Sequence, residues 1–155
     1  MRTWWAHYPG ILSPAQIEYM LARGYSHDAL RALLARPHGG IAIASELQPA
    51  GFAAWYAADE PATLKLDKLY VLPEQQGRGI GRALIDHVLE RARAAGCATL
   101  MLNVNRHNGA SIRTYERCGF AIRGSGDFPI GNGFVMEDYI MTRPVDPPAG
   151  AAAGA

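Results

Sequence analysis

Three glycines at alternate positions, in Gln76-Gly77-Arg78-Gly79-Ile80-Gly81, join a strand-like run to a helix-like run and so fix how the middle of the chain must be folded. Before them, residues 66–72 are apolar, include Tyr70 and Val71, and stop at Pro73, the pattern of a buried strand. After them, Ile80, Leu84, Ile85, Val88, Leu89 and Ala92 fall on one broad face of a helix, and Gly96 stands where a residue just past a helix end is expected. Arg78 and Arg82 lie in the opening turn, where the helix dipole is already positive and the first amides lack partners. Two cations there cost stability unless an anion lies between them. A phosphate would answer that cost, because glycines let backbone N–H groups approach phosphoryl oxygens.

The motif has limits. No Lys-Ser or Lys-Thr follows the glycines, so it is not a Walker loop, and the spacing is not that of a dinucleotide fingerprint. Alone, Gly-x-Gly-x-Gly fits equally a tight strand-to-helix turn that binds nothing. Downstream context decides between the two. Residues 72–81 resemble the acetyl-CoA signature of the GNAT superfamily of acyl-CoA-dependent N-acyltransferases, with Gln76, Gly79 and Gly81 matching its core pattern. A second block is similar too: Asn103 at a strand end, then Asn108-Gly-Ala-Ser-Ile-Arg-Thr-Tyr115-Glu-Arg-Cys-Gly119-Phe120, with a Tyr-x-x-x-Gly-Phe ending. The resemblance runs from about residue 11 to residue 143 and is strongest over 68–120. It implies an α/β (α+β) fold with a mixed, mostly antiparallel, splayed sheet flanked by helices.

At 155 residues the chain is expected to make one domain, over 1–143, and its 49% of apolar residues can fill a core. Fifteen basic and 14 acidic residues give a net charge of +1, so no global field favours nucleic acid or an anionic membrane, and any anion site must be local. No apolar run approaches a membrane span and the first residues carry no signal-peptide core, which reads as a cytoplasmic protein, monomer or homodimer. Cys97 and Cys118 read as ordinary thiols, and the five scattered histidines have no metal-ligand spacing, so no metal is expected.

Taken in order, Ser13 caps a first helix with Pro14 at its first position, and Ser26 with Asp28 starts a second that Pro37 closes. The family resemblance implies a strand before these helices, yet none of convincing length precedes Ser13. The first strand is therefore expected to be absent or truncated, the start lying inside a longer frame, with a short substitute at residues 2–5 as the alternative. Residues 41–46 and 52–58 form a hairpin, 63–72 the next strand, and 98–104 another, with Leu100, Leu102 and Val104 on one face. A helix over 110–118, capped by Asn108 and stopped by Gly119, precedes final strands at 120–123 and 134–142, with turns at 124–127 and 130–133. Residues 144–155, Pro-Pro then Gly-Ala runs, read as a disordered tail.

The resemblance implies acetyl-CoA as cosubstrate and an amine of a small molecule, polyamine or protein as acceptor. Gln76, Gly77, Arg78, Gly79, Ile80 and Gly81 would then hold the pyrophosphate. The backbone of Tyr70, Val71 and Leu72 would pair strand-like with the pantetheine arm, leaving an N–H near the thioester carbonyl. Asn103 and Asn108 would stand beside that arm, Asn108 serving equally as a plain N-cap. Tyr115 would protonate the departing sulfur, since a phenol with a pKa of about 10 keeps its proton at neutral pH; its alternative is core packing with Ile112. For the general base, Asp67, Glu137 and Asp138 are candidates, and Asp138 ranks first because alternation turns it away from Glu137 and Tyr139. Trp5, Tyr8 and Tyr25 either wall an acceptor pocket or pack the first helices. The rival reading is a non-catalytic acyl-CoA sensor or partner-binding module, which would keep the glycine turn and have no need of Tyr115.

Overall fold

The computed structural model describes residues 8–146. The candidate substitute strand at residues 2–5, Trp5, and the tail beyond residue 146 lie outside the described residues. Two helices open the fold, α1 (Pro14–Tyr25) and α2 (His27–Ala35). Their serines cap as expected: Ser13 Oγ accepts from Gln16 N at 3.2 Å and Ser26 Oγ from Ala29 N at 3.1 Å. Strands β1 (Gly40–Ser45), β2 (Pro49–Ala57) and β3 (Thr63–Val71) make an antiparallel meander. Helix α3 (Ile80–Ala94), strand β4 (Thr99–Asn105), helix α4 (Gly109–Arg117) and the hairpin β5 (Ala121–Gly131) to β6 (Phe134–Pro144) complete it.

The six strands form one sheet in the order β1-β2-β3-β4-β6-β5. Every pairing is antiparallel except that of β3 with β4, which is parallel and runs only from Thr63↔Thr99 to Lys65↔Met101. Just beyond it β3 carries a bulge: Trp55 faces Leu66 and Ala54 faces Lys68, so Asp67 is an extra residue. A bulge bends and twists its strand, and here it carries β3 away from β4. The sheet therefore splits into two half-sheets that share three residue pairs.

One face of the sheet is covered by α3. Leu84, Ile85, Val88, Leu89 and Ala92 pack on Leu64, Leu66, Leu100, Leu102 and Met141, all buried. The side chains of β4 alternate as the pattern requires, Leu100, Leu102 and Val104 inward and Thr99, Met101 and Asn103 half-buried on the other side. On that other face α1 buries Ile17 and Leu21 against Tyr8, Leu12, Tyr25 and Tyr70. Among the described residues no strand precedes α1.

The end of the chain departs from expectation. Residues 124–127 are not a turn; they continue β5, which runs eleven residues before the reversal at Gly131-Asn132-Gly133. Glycine and serine there suggested a loop. The long partner β6 overrides that weak local preference, and register slips at Ile122/Gly124 and Pro129/Gly131 absorb the misfit.

Ile17 is fully buried and ties α1 to the sheet, whereas Leu47 is fully exposed. Ile17→Ala is expected to lower unfolding stability by about 2–4 kcal/mol in urea titration, and Leu47→Ala to leave it within about 0.5 kcal/mol.

Candidate functional site

Where β3 and β4 part, a cleft of about 990 Å³ opens across the molecule. Its middle is bounded by the two strand edges that the short parallel ladder leaves unpaired, Leu66 to Val71 of β3 and Leu102 to Asn105 of β4. At one end stands the glycine turn and at the other the β5–β6 hairpin with α1.

The glycine turn is built for close approach. Gly77 and Gly79 have φ of +79° and +80°, and nothing lies within 4 Å of where a Cβ would stand on either. A side chain at either place would be strained and would fill the space in front of the backbone. Gly79 is the N-cap of α3 and no side chain caps that helix. The first intrahelical bond runs from Ala83 N to Gly79 O at 3.0 Å, which leaves the amides of Ile80, Gly81 and Arg82 without helical acceptors beside the cleft. An unfilled cradle, free amides and a positive helix end fit a phosphate-bearing group. Gln76 lines the cleft and its Nε2 donates to Val71 O at 3.2 Å, locking the turn to the end of β3.

The structure sorts the expected ligand residues. Tyr70, Val71, Gln76, Gly77, Gly79, Ile80, Gly81, Asn103, Asn108 and Tyr115 all line the cleft. Leu72 and Arg78 do not. The Leu72 amide is spent on Ala50 O at 2.8 Å, and Arg78 turns outward to Gln75 and to Glu46, whose carboxylate is 3.7 Å away. Arg82, by contrast, lines the cleft.

Side chains from four elements gather at the middle. Asn108 is buried and caps α4, its Oδ1 accepting from Ser111 N at 3.2 Å, and it also hydrogen-bonds the Tyr8 hydroxyl. Burial, with the nearby charge of Asp138, pushes the Tyr8 phenol up to about 12. Tyr115, half-buried and edge-on to Phe120 at 5.9 Å, has its pKa raised by burial and then by the neighbouring Tyr8 and Cys118. Tyr70 is raised by burial and by Tyr25, Tyr8 and Tyr115. All three phenols are proton-bearing at neutral pH.

The candidate bases separate. Glu137 is exposed, outside the cleft, and bound to Arg106 and His107 at 3.7 and 3.0 Å. Asp67 lines the cleft but is paired with Lys68 at 2.6 Å. Asp138 is buried at 6% exposure, and its Oδ1 has no hydrogen-bond partner. Burial raises its pKa, against a hydrogen bond from Asn103 and the charges of Lys65 and Arg106. Of the aromatic candidates, Tyr8 lines the cleft, while Tyr25 stacks behind it on Tyr70 at 5.8 Å and Phe52 at 6.2 Å.

Sequence reasoning did not find Met20, Arg23, Lys65, Phe128, Ile130 and Met136, which also line the cleft. Their helical or alternating spacing reads as ordinary packing or surface, and only the β3 bulge and the docking of the hairpin on α1 bring them together. Tyr19 Oη donates to Ile130 O at 3.0 Å, Gln16 Nε2 to Val135 O at 3.0 Å, and Arg23 also donates to Ile130 O.

With this geometry in view, comparison with known proteins is informative. The sequence model of the Acetyltransferase (GNAT) family matches residues 2–120. An uncharacterized N-acetyltransferase of Mycobacterium tuberculosis is 34% identical over 119 residues, 77% of this chain and 70% of that protein. A [ribosomal protein bS18]-alanine N-acetyltransferase of Escherichia coli is 39% identical over 71 residues, 46% of this chain and 47% of that one. In fold, the PaiA N-acetyltransferase from Thermoplasma acidophilum in complex with coenzyme A superposes with a TM-score of 0.75 at 22% identity, covering 92% of this chain and 86% of the other.

A buried carboxylate with a raised pKa penalises the folded state once it ionises. Stability is therefore highest below the ordinary carboxylate pKa of about 4 and falls as pH rises through the raised value. Asp138→Asn removes that penalty. The variant is expected to melt higher than the wild type at about pH 8 and to lose the advantage at about pH 4; equal melting at every pH would show that Asp138 ionises without cost.

Proposed function

Because the chain belongs to the GNAT acetyltransferase family, and is thus an acetyl-CoA-dependent acyltransferase, we propose that it moves the acetyl group onto a primary amine held at the Asp138 end of the cleft. The observation that carries this reading is the unpaired edge of β3 from Leu66 to Val71, which runs straight into an uncapped helix start bared by Gly77 and Gly79. One continuous track thus offers strand-like hydrogen bonds for an amide-containing arm and helix amides for a diphosphate.

Acetyl-CoA supplies a thioester whose carbonyl carbon the amine attacks. Asp138 takes one proton of the ammonium, which arrives charged because its pKa is about 10, and the second proton that the nitrogen sheds on becoming an amide restores the Tyr115 phenol once the sulfur has left. Its raised pKa makes it a better acceptor than an exposed aspartate, and its unpartnered oxygen is free to receive the N–H. An N–H on the open β3 edge, at Val71, donates to the oxygen that becomes negative. Tyr115, kept protonated by burial, gives its proton to the departing sulfur. Asn103 and Asn108 orient the two ends of this relay through Asp138 and Tyr8.

Ellman-type thiol release across an amine panel tests the proposal. Tyr115→Phe is expected to reduce kcat by about 10²- to 10³-fold while leaving acetyl-CoA affinity nearly unchanged; a variant as fast as wild type at all pH values would remove Tyr115 from its role. Gly79→Val is expected to abolish calorimetric binding of acetyl-CoA in a protein that still melts cooperatively, and unaltered binding would contradict the cradle. If the wild type binds acetyl-CoA and no amine releases thiol, the non-catalytic sensor is the better reading.

A further inference from the structure

We infer that the acceptor is a monoamine carried on an apolar, aromatic-sized body, and that Phe128 and Arg23 enforce this choice over a polycation. The inference deepens the acetyltransfer reading and rests on it for the position of the amine.

Register places the relevant groups together. Asn105 of β4, Asp138 of β6 and Gly126 of β5 are direct partners across two ladders, and Met136 faces Phe128 one pleat further along. Partners in an antiparallel ladder share a face, as do residues two apart on one strand, so all five project on the cleft side. Gly126 has no side chain, and a Cβ there would come within 2.8 Å of Phe128 Cζ. The Phe128 ring therefore lies back over Gly126, in the space beside the buried carboxylate. Ile130 and Met20 continue this surface, and thioether side chains adapt to irregular apolar shapes. From Asp138 toward the hairpin the cleft is lined by Phe128, Met136, Ile130 and Met20, while Tyr8, Asn105 and Lys65 also line it.

Charge points the same way. Two carboxylates line the cleft, Asp67 and Asp138, and Asp67 is already paired with Lys68 at 2.6 Å. Outside the cleft, Asp127 and Glu137 are held by Arg106 at 2.7 and 3.7 Å. That leaves Asp138, already within the field of Lys65 and Arg106, to receive no more than one ammonium group. A second positive charge would meet Arg23, which donates to Ile130 O on the same apolar wall and has no carboxylate within ion-pair distance among the described residues. Desolvating a second ammonium there with no partner is costly.

The test compares 2-phenylethylamine, ethylamine and spermidine by thiol release at saturating acetyl-CoA. The wild type is expected to give kcat/KM for 2-phenylethylamine at least about tenfold above either of the others, the scale of one apolar group in a fitted pocket. Phe128→Ala should shrink the 2-phenylethylamine to ethylamine ratio to within about twofold through KM, and Arg23→Glu should narrow the gap to spermidine by about tenfold. Phe128 is 36% exposed, so its truncation leaves the core intact. A wild type that prefers spermidine, or ratios that neither variant moves, overturns the inference while leaving acetyl transfer standing. Calorimetric titration of 2-phenylethylamine into the protein with coenzyme A separates the two ideas. Binding without turnover of any amine supports the pocket and sinks the transferase reading; no binding, with thiol release from other amines, does the reverse.

Discussion

Among the described residues the ladder between the two half-sheets is three residue pairs long, Thr63–Lys65 against Thr99–Met101, and the working parts of the molecule depend on that seam being so short. Were the ladder continued to Val71, the edges of β3 and β4 would satisfy each other and no backbone would be left to hold a ligand. Unpaired strand edges are ordinarily a liability. Here they lie inside a cleft, set back from the outer edges of the sheet at β1 and β5. The bulge at Asp67 enforces the opening, and the shared core beneath α3 keeps the halves from drifting apart, because Leu64 and Leu66 of one half and Leu100, Leu102 and Met141 of the other pack on the same helix.

The polar interior follows from the same opening. Asp138, Asn105 and Asn108 are buried beside the opening, and the phenols of Tyr8, Tyr70 and Tyr115 crowd the same space. Such a cluster costs stability: each phenol is driven toward its neutral form and the carboxylate is held off its ordinary value. A chain selected for stability alone would place hydrocarbon there. Protons poised on phenols beside a buried carboxylate are instead what a reaction that strips two protons from an ammonium and delivers one to a thiolate requires.

Much of this was legible in the sequence because it is written in local rules. Ser13, Ser26 and Asn108 cap helices wherever they stand before one, Gly96 and Gly119 end them, and the alternation of β4 is unambiguous. The glycine turn shows itself through spacing, and Asp138 through a parity argument on β6. What stayed hidden depends on long-range pairing. Residues 124–127 look like a turn until β6 is laid beside them, and Phe128 looks like a stray surface aromatic until Gly126 is seen to make room for its ring. Arg78 shows the same dependence: sequence places it in the turn, while its outward direction, toward Gln75 and Glu46, is visible only once β1 and the turn are side by side.

The two ends of the cleft therefore obey different physics. The glycine end is made of main chain, whose amides are the same in every sequence, so it needs only small residues and a helix start to persist. The hairpin end is made of side chains, Phe128, Met136, Met20 and Arg23, held by three hydrogen bonds from α1 to the carbonyls of Ile130 and Val135. Those bonds end on carbonyls that any residue supplies, and of the wall side chains only Arg23, which donates one of them, and Met136, whose sulfur accepts from Gln16 at 3.5 Å, take part in the docking. Substitution at Phe128 or Met20, which make none of those bonds, can change which amine fits without disturbing the coenzyme track.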